Sequence, residues 1–162
     1  MKTLLLASIL SVALCGAATA QDLNLDRSGP YVGGSVGTSV NNSQRVDLGA
    51  RAGWQIGPHV RGELDFDNTR SSAAVNALTA NVQLGYRVPT TVITPYALVG
   101  TGIEWHGSTR AAVWQAGAGV RFGLAKNVEL DARYAHTGPF SLSEVFPSKG
   151  RDSFTLGVNY RF

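Results

Sequence analysis

Apolar side chains recur at every second position along most of the chain beyond Tyr31. Residues 46–56 show the pattern plainly. One face reads Val, Leu, Ala, Ala, Trp, Ile, and the other reads Asp, Gly, Arg, Gly, Gln. A period of two is the signature of a strand with two unlike faces. Eight such segments follow one another, over residues 31–40, 46–56, 60–68, 74–88, 93–106, 112–122, 128–136 and 152–162. Most are longer than the globular mode of about 5–6 residues. They match the roughly 9–11 residues that a tilted strand needs to cross a bilayer. Residues 57–59, 89–92 and 123–127 read as tight turns. Residues 41–45, 69–73, 107–111 and the long 137–151 read as loops at the opposite end. The pattern predicts an all-β fold, an eight-stranded antiparallel up-and-down transmembrane β-barrel.

The first twenty residues break this pattern. Lys2 is followed by an apolar run and by Ala18-Thr19-Ala20, the arrangement of a cleaved signal peptide. The domain reading is therefore 1–20 signal peptide, 21–30 short periplasmic segment and 31–162 barrel. Leu14 before Cys15 argues against lipidation there, and processing would remove that single Cys. Disulfide frameworks and cysteine metal sites are excluded for the mature chain. Only 15% of residues are charged, against about 25% in soluble domains. A net charge of +3 gives no reason to expect nucleic acid.

The rival fold is a soluble sandwich or lipocalin-like barrel, which also alternates. Threading the strands up and down separates the two. Tyr31, Trp54, Tyr86, Phe122, Tyr160 and Phe162 fall at the periplasmic end. Phe66, Trp105, Trp114, Tyr134 and Phe154 fall at the outer end. Two aromatic belts are what two membrane interfaces select. Tyr96 is the exception: the register points it inward, and a bulge near Pro95 would turn it out.

The same register predicts a charged lumen of Asp47, Arg51, Arg61, Glu63, Asp65, Asp67, Arg87, Glu104, Arg121, Glu129, Asp131, Arg133 and Arg161. Every base in that set is Arg, whose planar fork suits enclosed carboxylate pairs. An eight-stranded barrel is just wide enough for its own side chains. A plugged lattice of ion pairs is the expectation, with a narrow channel as the rival. Arg45, Arg70, Arg110, Lys149 and Arg151 fall in outer connections and predict a basic rim facing phosphorylated head groups, with lipopolysaccharide as the partner. Phe140, Leu142, Val145 and Phe146 add an apolar cluster to the longest loop.

The stretches 130–138 (LDARYAHTG) and 157–162 (GVNYRF) resemble the opacity-protein and outer membrane protein A/X-like families of Gram-negative bacteria. The resemblance implies a multi-pass outer-membrane protein with both termini periplasmic. It also implies that Phe154, Leu156, Val158, Tyr160 and Phe162 form the terminal signal read by the outer-membrane assembly machinery. Envelope integrity, lipopolysaccharide or host-surface contact are the implied roles, as a surface antigen or porin-like protein. A monomer without cofactor is expected. The short outer loops argue against an adhesin. No enzyme is expected, and the alternative is a lipid A deacylase. Such barrels carry a His-x-Ser motif on a late strand, and His136 lies at the matching place, but Gly138 stands where the Ser would be. Ser141, Ser143 and Glu144 are the nearby candidates.

Overall fold

Alternation leaves each strand with one face for lipid and one for the interior, and closing the sheet on itself removes the two unpaired edges. The computed structural model describes residues 28–40, 44–70, 74–140 and 150–162. The strands are β1 (Gly29–Val40), β2 (Gln44–Gln55), β3 (Val60–Arg70), β4 (Val75–Gly85), β5 (Ile93–His106), β6 (Thr109–Ala125), β7 (Val128–Pro139) and β8 (Arg151–Arg161). They form a closed barrel in sequence order. β1 and β8 close it antiparallel, from Tyr31 opposite Arg161 to Val40 opposite Asp152. The signal-peptide region and Lys149, Ser141, Ser143, Glu144, Leu142, Val145 and Phe146 lie outside the described residues.

The barrel is inside out relative to a soluble protein. Val32, Val36, Leu64, Val82, Leu84, Val99, Leu156 and Val158 are exposed, whereas Arg51, Arg61, Glu63, Asp131 and Arg133 are buried. Exposed rings on the outward face include Trp54, Tyr86, Tyr160 and Phe162 at one end and Phe66, Trp114, Tyr134 and Phe154 at the other.

Several details differ from the sequence pattern. β1 begins at Gly29 rather than residue 31, and β6 runs well beyond 112–122 at both ends. β4 stops at Gly85 rather than at residue 88. Thr90, in the following connection, takes a left-handed φ of 62° that cannot continue a strand. The loop expected at 107–111 shrinks to Gly107-Ser108, because His106 pairs with Thr109. Gly107 has φ 57°, the conformation a tight hairpin turn requires. The expected contrast in turn lengths thereby narrows to one long connection, between Pro139 and Arg151.

Two aromatics belong inside: Tyr31, contrary to its belt assignment, and Tyr96, where the strand register put it and without the bulge that would have turned it out. Tyr31 is 1% exposed and Tyr96 is 5% exposed. No bulge occurs near Pro95; the pairing irregularity lies between Gly123 and Ala125. Each tyrosine ring lies over a glycine on the next strand. A Cβ added to Gly53 would come within 2.6 Å of the Tyr31 ring, and one added to Gly119 within 2.5 Å of Tyr96. Tyr31 is paired with Gly53 on β2, and Tyr96 with Gly119 on β6. A phenol costs free energy in hydrocarbon unless its hydroxyl is satisfied, and the interior supplies a carboxylate for each.

Candidate functional site

The interior is the most concentrated chemistry in the molecule. Parity on β3 turns Arg61, Glu63 and Asp65 inward, and parity on β7 turns Glu129, Asp131 and Arg133 inward. The two strands are diametrically opposite in the closed barrel. Arg61 Nη2 donates to Glu129 Oε2 at 2.9 Å. Arg133 Nη1 donates to Asp65 Oδ2 and Nη2 to Glu63 Oε1, both at 2.7 Å. These bonds cross the full width of the lumen. Arg51 on β2 donates to Asp131 Oδ2 at 2.7 Å, and Arg161 on β8 pairs with Glu129.

Neutral groups complete the lattice. The Tyr31 hydroxyl donates to Glu63 Oε2 and the Tyr96 hydroxyl to Asp131 Oδ1, both at 2.6 Å. Gln83 donates to Glu63 at 2.8 Å and Asn81 to Asp65 at 3.0 Å. The Arg61 guanidinium carbon lies 4.2 Å from the centre of the Tyr31 ring. Arg121 donates to Gln83 Oε1 at 3.1 Å and lies 5.0 Å from the centre of Tyr96. A carboxylate buried this far from water is stable only with such partners. Sequence parity marked the ionisable members and pointed Tyr96 inward, but missed Tyr31, Gln83 and Asn81. A polar residue at an inward position was the available signal for the two amides.

Toward the end that carries the long connection the lattice loosens. Asp47, Arg51, Asp65, Asp67, Gln115, Arg133, Arg151 and Thr155 line a small cavity. Among the described residues, Asp47 Oδ1, Gln115 Oε1, Thr155 Oγ1 and Arg151 Nε have no hydrogen-bond partner. The cavity is polar and roomy enough for about one or two water molecules. Asp47 also accepts from Ser39. Above it, Arg151 Nη1 donates to Thr69 at 2.8 Å and lies 3.7 Å from Glu104.

Among the described residues, the predicted rim does not form a ring. Arg45 and Arg151 are strand residues with inward parity, because β2 begins at Gln44 and β8 at Arg151. Both are partly buried at the mouth, whereas Arg70 and Arg110 are exposed on the outward face. Arg87 follows β4 and is partly buried. Phe154, Leu156, Val158, Tyr160 and Phe162 all lie on the outward face of the last strand and just beyond it.

His136 has a partner that sequence reading missed. Its Nδ1 is 2.8 Å from Asp152 Oδ1, and the Tyr134 hydroxyl donates to the same oxygen at 2.7 Å. The two residues are sixteen apart across a long connection, so spacing gave no signal. His136 and Asp152 are opposite one another on β7 and β8. The Trp114 ring lies 5.3 Å from the imidazole. No group of three or more His, Cys, Asp and Glu among the described residues is placed to hold a metal ion.

Comparison with known proteins places this architecture. The Neisserial surface protein A superposes with a TM-score of 0.68 at 14% identity, covering 82% of this chain and 96% of that one. The N-terminal β-barrel domain of Pseudomonas aeruginosa OprF gives 0.66 at 15% identity, covering 84% and 100%. The outer membrane enzyme PagL gives 0.54 at 16% identity, covering 82% and 99%. A comparison with curated protein sequences finds no match. The family described as outer membrane protein beta-barrel domain matches residues 7–162. With its closed eight-stranded barrel and lipid-type outer face, the chain belongs to the outer membrane protein beta-barrel domain family and is a protein of the Gram-negative outer membrane.

Proposed function

We propose that this protein is a structural and surface-interaction barrel whose lumen is plugged rather than conducting. The observation that supports this reading is the cross-bracing of opposite strands. Arg61–Glu129 and Arg133–Asp65 span the barrel from β3 to β7 and leave no room for a wide path between them. Its contribution to the cell is then made by its surface: envelope integrity, and contact with lipopolysaccharide or a host surface at the outer end. Planar-bilayer recordings test it. Baseline conductance is expected. Stable channels of large, uniform conductance would overturn it and recast Arg51, Arg87 and Arg121 as a selectivity lining.

Both termini belong at the periplasmic end in this reading, with the 140–150 connection outside the cell. The length of that connection and the even strand number support the orientation. A cysteine at Ser148 should react with an impermeant thiol reagent on intact cells, and protection would reverse the topology. Phe162 and the alternating residues before it serve as the assembly signal.

One observation favours a second reading, a lipid A-modifying hydrolase. Asp152 holds the Nδ1 side of His136, which makes Nε2, beside Gly150 at the lipid-facing outer end, the candidate base. PagL, an outer-membrane enzyme, shares the fold. Gly138 still stands in place of the motif's Ser. A change in lipid A mass that depends on the protein and disappears in His136→Ala would establish this activity.

A further inference from the structure

Most lumen carboxylates have a guanidinium in ion-pair reach. Arg133 holds Glu63 and Asp65, Arg51 holds Asp131, Arg61 holds Glu129, and Arg151 lies 3.7 Å from Glu104. Among the described residues, Asp47 and Asp67 have no such partner. Both line the small cavity at the outer end of the lumen. Arg51, Arg133 and Arg151 line it too, but they are already shared among Glu63, Asp65, Asp131 and Glu104. Arg45, at the mouth, is two residues further out than Asp47 on the same inward face. Arg121 turns the other way, to Gln83, which is opposite Arg61 toward the periplasmic end. Counting Arg45, four bases stand against six acids around the cavity, so negative charge is in excess there.

The oxygens around this cavity are left open. Asp47 is 4% exposed; Ser39 donates to its Oδ2, and its Oδ1 has no hydrogen-bond partner. Asp47 is opposite Thr69 and Gly49 is opposite Asp67, so the two acids are diagonal neighbours on the inward face of β2 and β3. Gly49 brings them together. A Cβ there would come within 2.7 Å of Asp67 Oδ1, so the missing side chain is what lets that carboxylate lean over β2. From β6, Gln115 is 5% exposed; its Nε2 donates to Thr137 at 3.3 Å, and its Oε1 has no partner. Thr155 Oγ1, on β8, has none either. A buried carboxylate oxygen without a donor or a cation is costly. The unpartnered donors nearby, Arg51 Nε and Arg151 Nε, belong to guanidinium groups already paired with other acids.

We propose that the outer lumen binds one divalent cation, calcium, between Asp47 and Asp67, with Gln115 Oε1 and Thr155 Oγ1 as neutral ligands. Two carboxylates are fewer than a site built on acids alone would use, and the neutral oxygens complete the set. All four ligands are oxygens, which suits a hard cation and not a thiolate- or imidazole-seeking metal. They come from four different strands of a braced wall, so their spacing cannot adjust to a strict octahedron. Calcium tolerates such irregular sets and takes 6–8 oxygens, whereas magnesium demands near-ideal octahedral geometry. A cavity with room for about one or two waters supplies the remaining ligands. The bound ion would neutralise the two acids that no arginine reaches, and tie β2 and β3 to β6 and β8 above the Arg133 lattice.

Isothermal titration calorimetry of the refolded, chelator-treated barrel in zwitterionic detergent at low salt tests it, with calcium chloride and magnesium chloride as probes. Refolding from denaturant keeps outer-leaflet lipid, itself a cation binder, out of the sample. Wild-type protein should bind one calcium per chain, and magnesium more weakly. Asp47→Asn with Asp67→Asn keeps the side-chain volumes and removes both charges; it should weaken calcium at least tenfold or so. Asp152→Asn removes the outward carboxylate at the same end and should leave the affinity unchanged. Migration of the folded form on a cold gel confirms that each variant has assembled. The wild-type titration stands even where a variant does not fold: no saturable calcium heat would show that water alone fills the cavity, and would overturn the site. Unaltered affinity in the double variant, or an equal loss in Asp152→Asn, would place the ion elsewhere and overturn it as well.

Discussion

Replacing Arg133 by Met is the sharpest perturbation of the lumen. The guanidinium donates to Asp65 and Glu63 at 2.7 Å, to the Tyr96 hydroxyl at 3.0 Å and to Asp131 at 3.4 Å. Met fills much of the same volume and makes none of these bonds. Glu63 would keep Tyr31 and Gln83, and Asp65 would keep Asn81 and the Arg51 Nε at 3.5 Å. Breaking one side of a buried ion pair costs about 3–5 kcal/mol. The surviving donors argue for the lower half of that range. Urea unfolding in lipid vesicles, followed by tryptophan fluorescence, measures it. Adding Asp65→Leu removes the stranded carboxylate and should recover part of the loss, a coupling of about 1–3 kcal/mol. A loss below about 1 kcal/mol for Arg133→Met, with no coupling to Asp65, would show that water already screens these charges and would refute a dry, braced interior.

Gly53→Val should destabilise the barrel by about 1–3 kcal/mol through overpacking against both the Gly62 carbonyl oxygen and the Tyr31 ring, and Tyr31→Ala should relieve the ring's share of that clash and leave the carbonyl's; a double-mutant cycle in unfolding experiments with no coupling between the two changes would show that the ring does not depend on the glycine. Deleting Phe162, exposed beyond β8, should slow insertion into membranes carrying the assembly machinery more than it lowers the stability of barrels already folded. Insertion at the normal rate would remove it from the assembly signal.

Much of the barrel was legible because lipid forces one rule on every strand: the outward position must be apolar. That rule fixed the parity of Arg51, Glu63, Asp131 and Arg133 without any knowledge of their partners. It failed for Tyr31 because a ring at a strand end satisfies either side of the wall, and the deciding residue, Gly53, is on another strand. Arg45 and Arg151 were misassigned for a different reason. Pairing extends β2 and β8 beyond the alternating core, so residues that look like loop acquire a parity. The partners themselves were illegible. Arg61 and Glu129 are sixty-eight residues apart, and only closure of the barrel brings them together.

The order of the lumen charges carries information beyond stability. Read from the periplasmic end, β3 presents Arg61, Glu63, Asp65, and β7 presents Glu129, Asp131, Arg133, so the cation of each strand meets an anion of the other. Sliding either strand by one inward step would set Arg61 beside Asp131 while leaving Glu129 without it, and would draw Arg133 away from Asp65. Backbone ladders alone tolerate such slips, since every two-residue shift restores apolar-out parity. The interior therefore works as a checksum on closure. A barrel sealed between β1 and β8 in the wrong register would strand charges in its own core, at a cost of several kcal/mol for each.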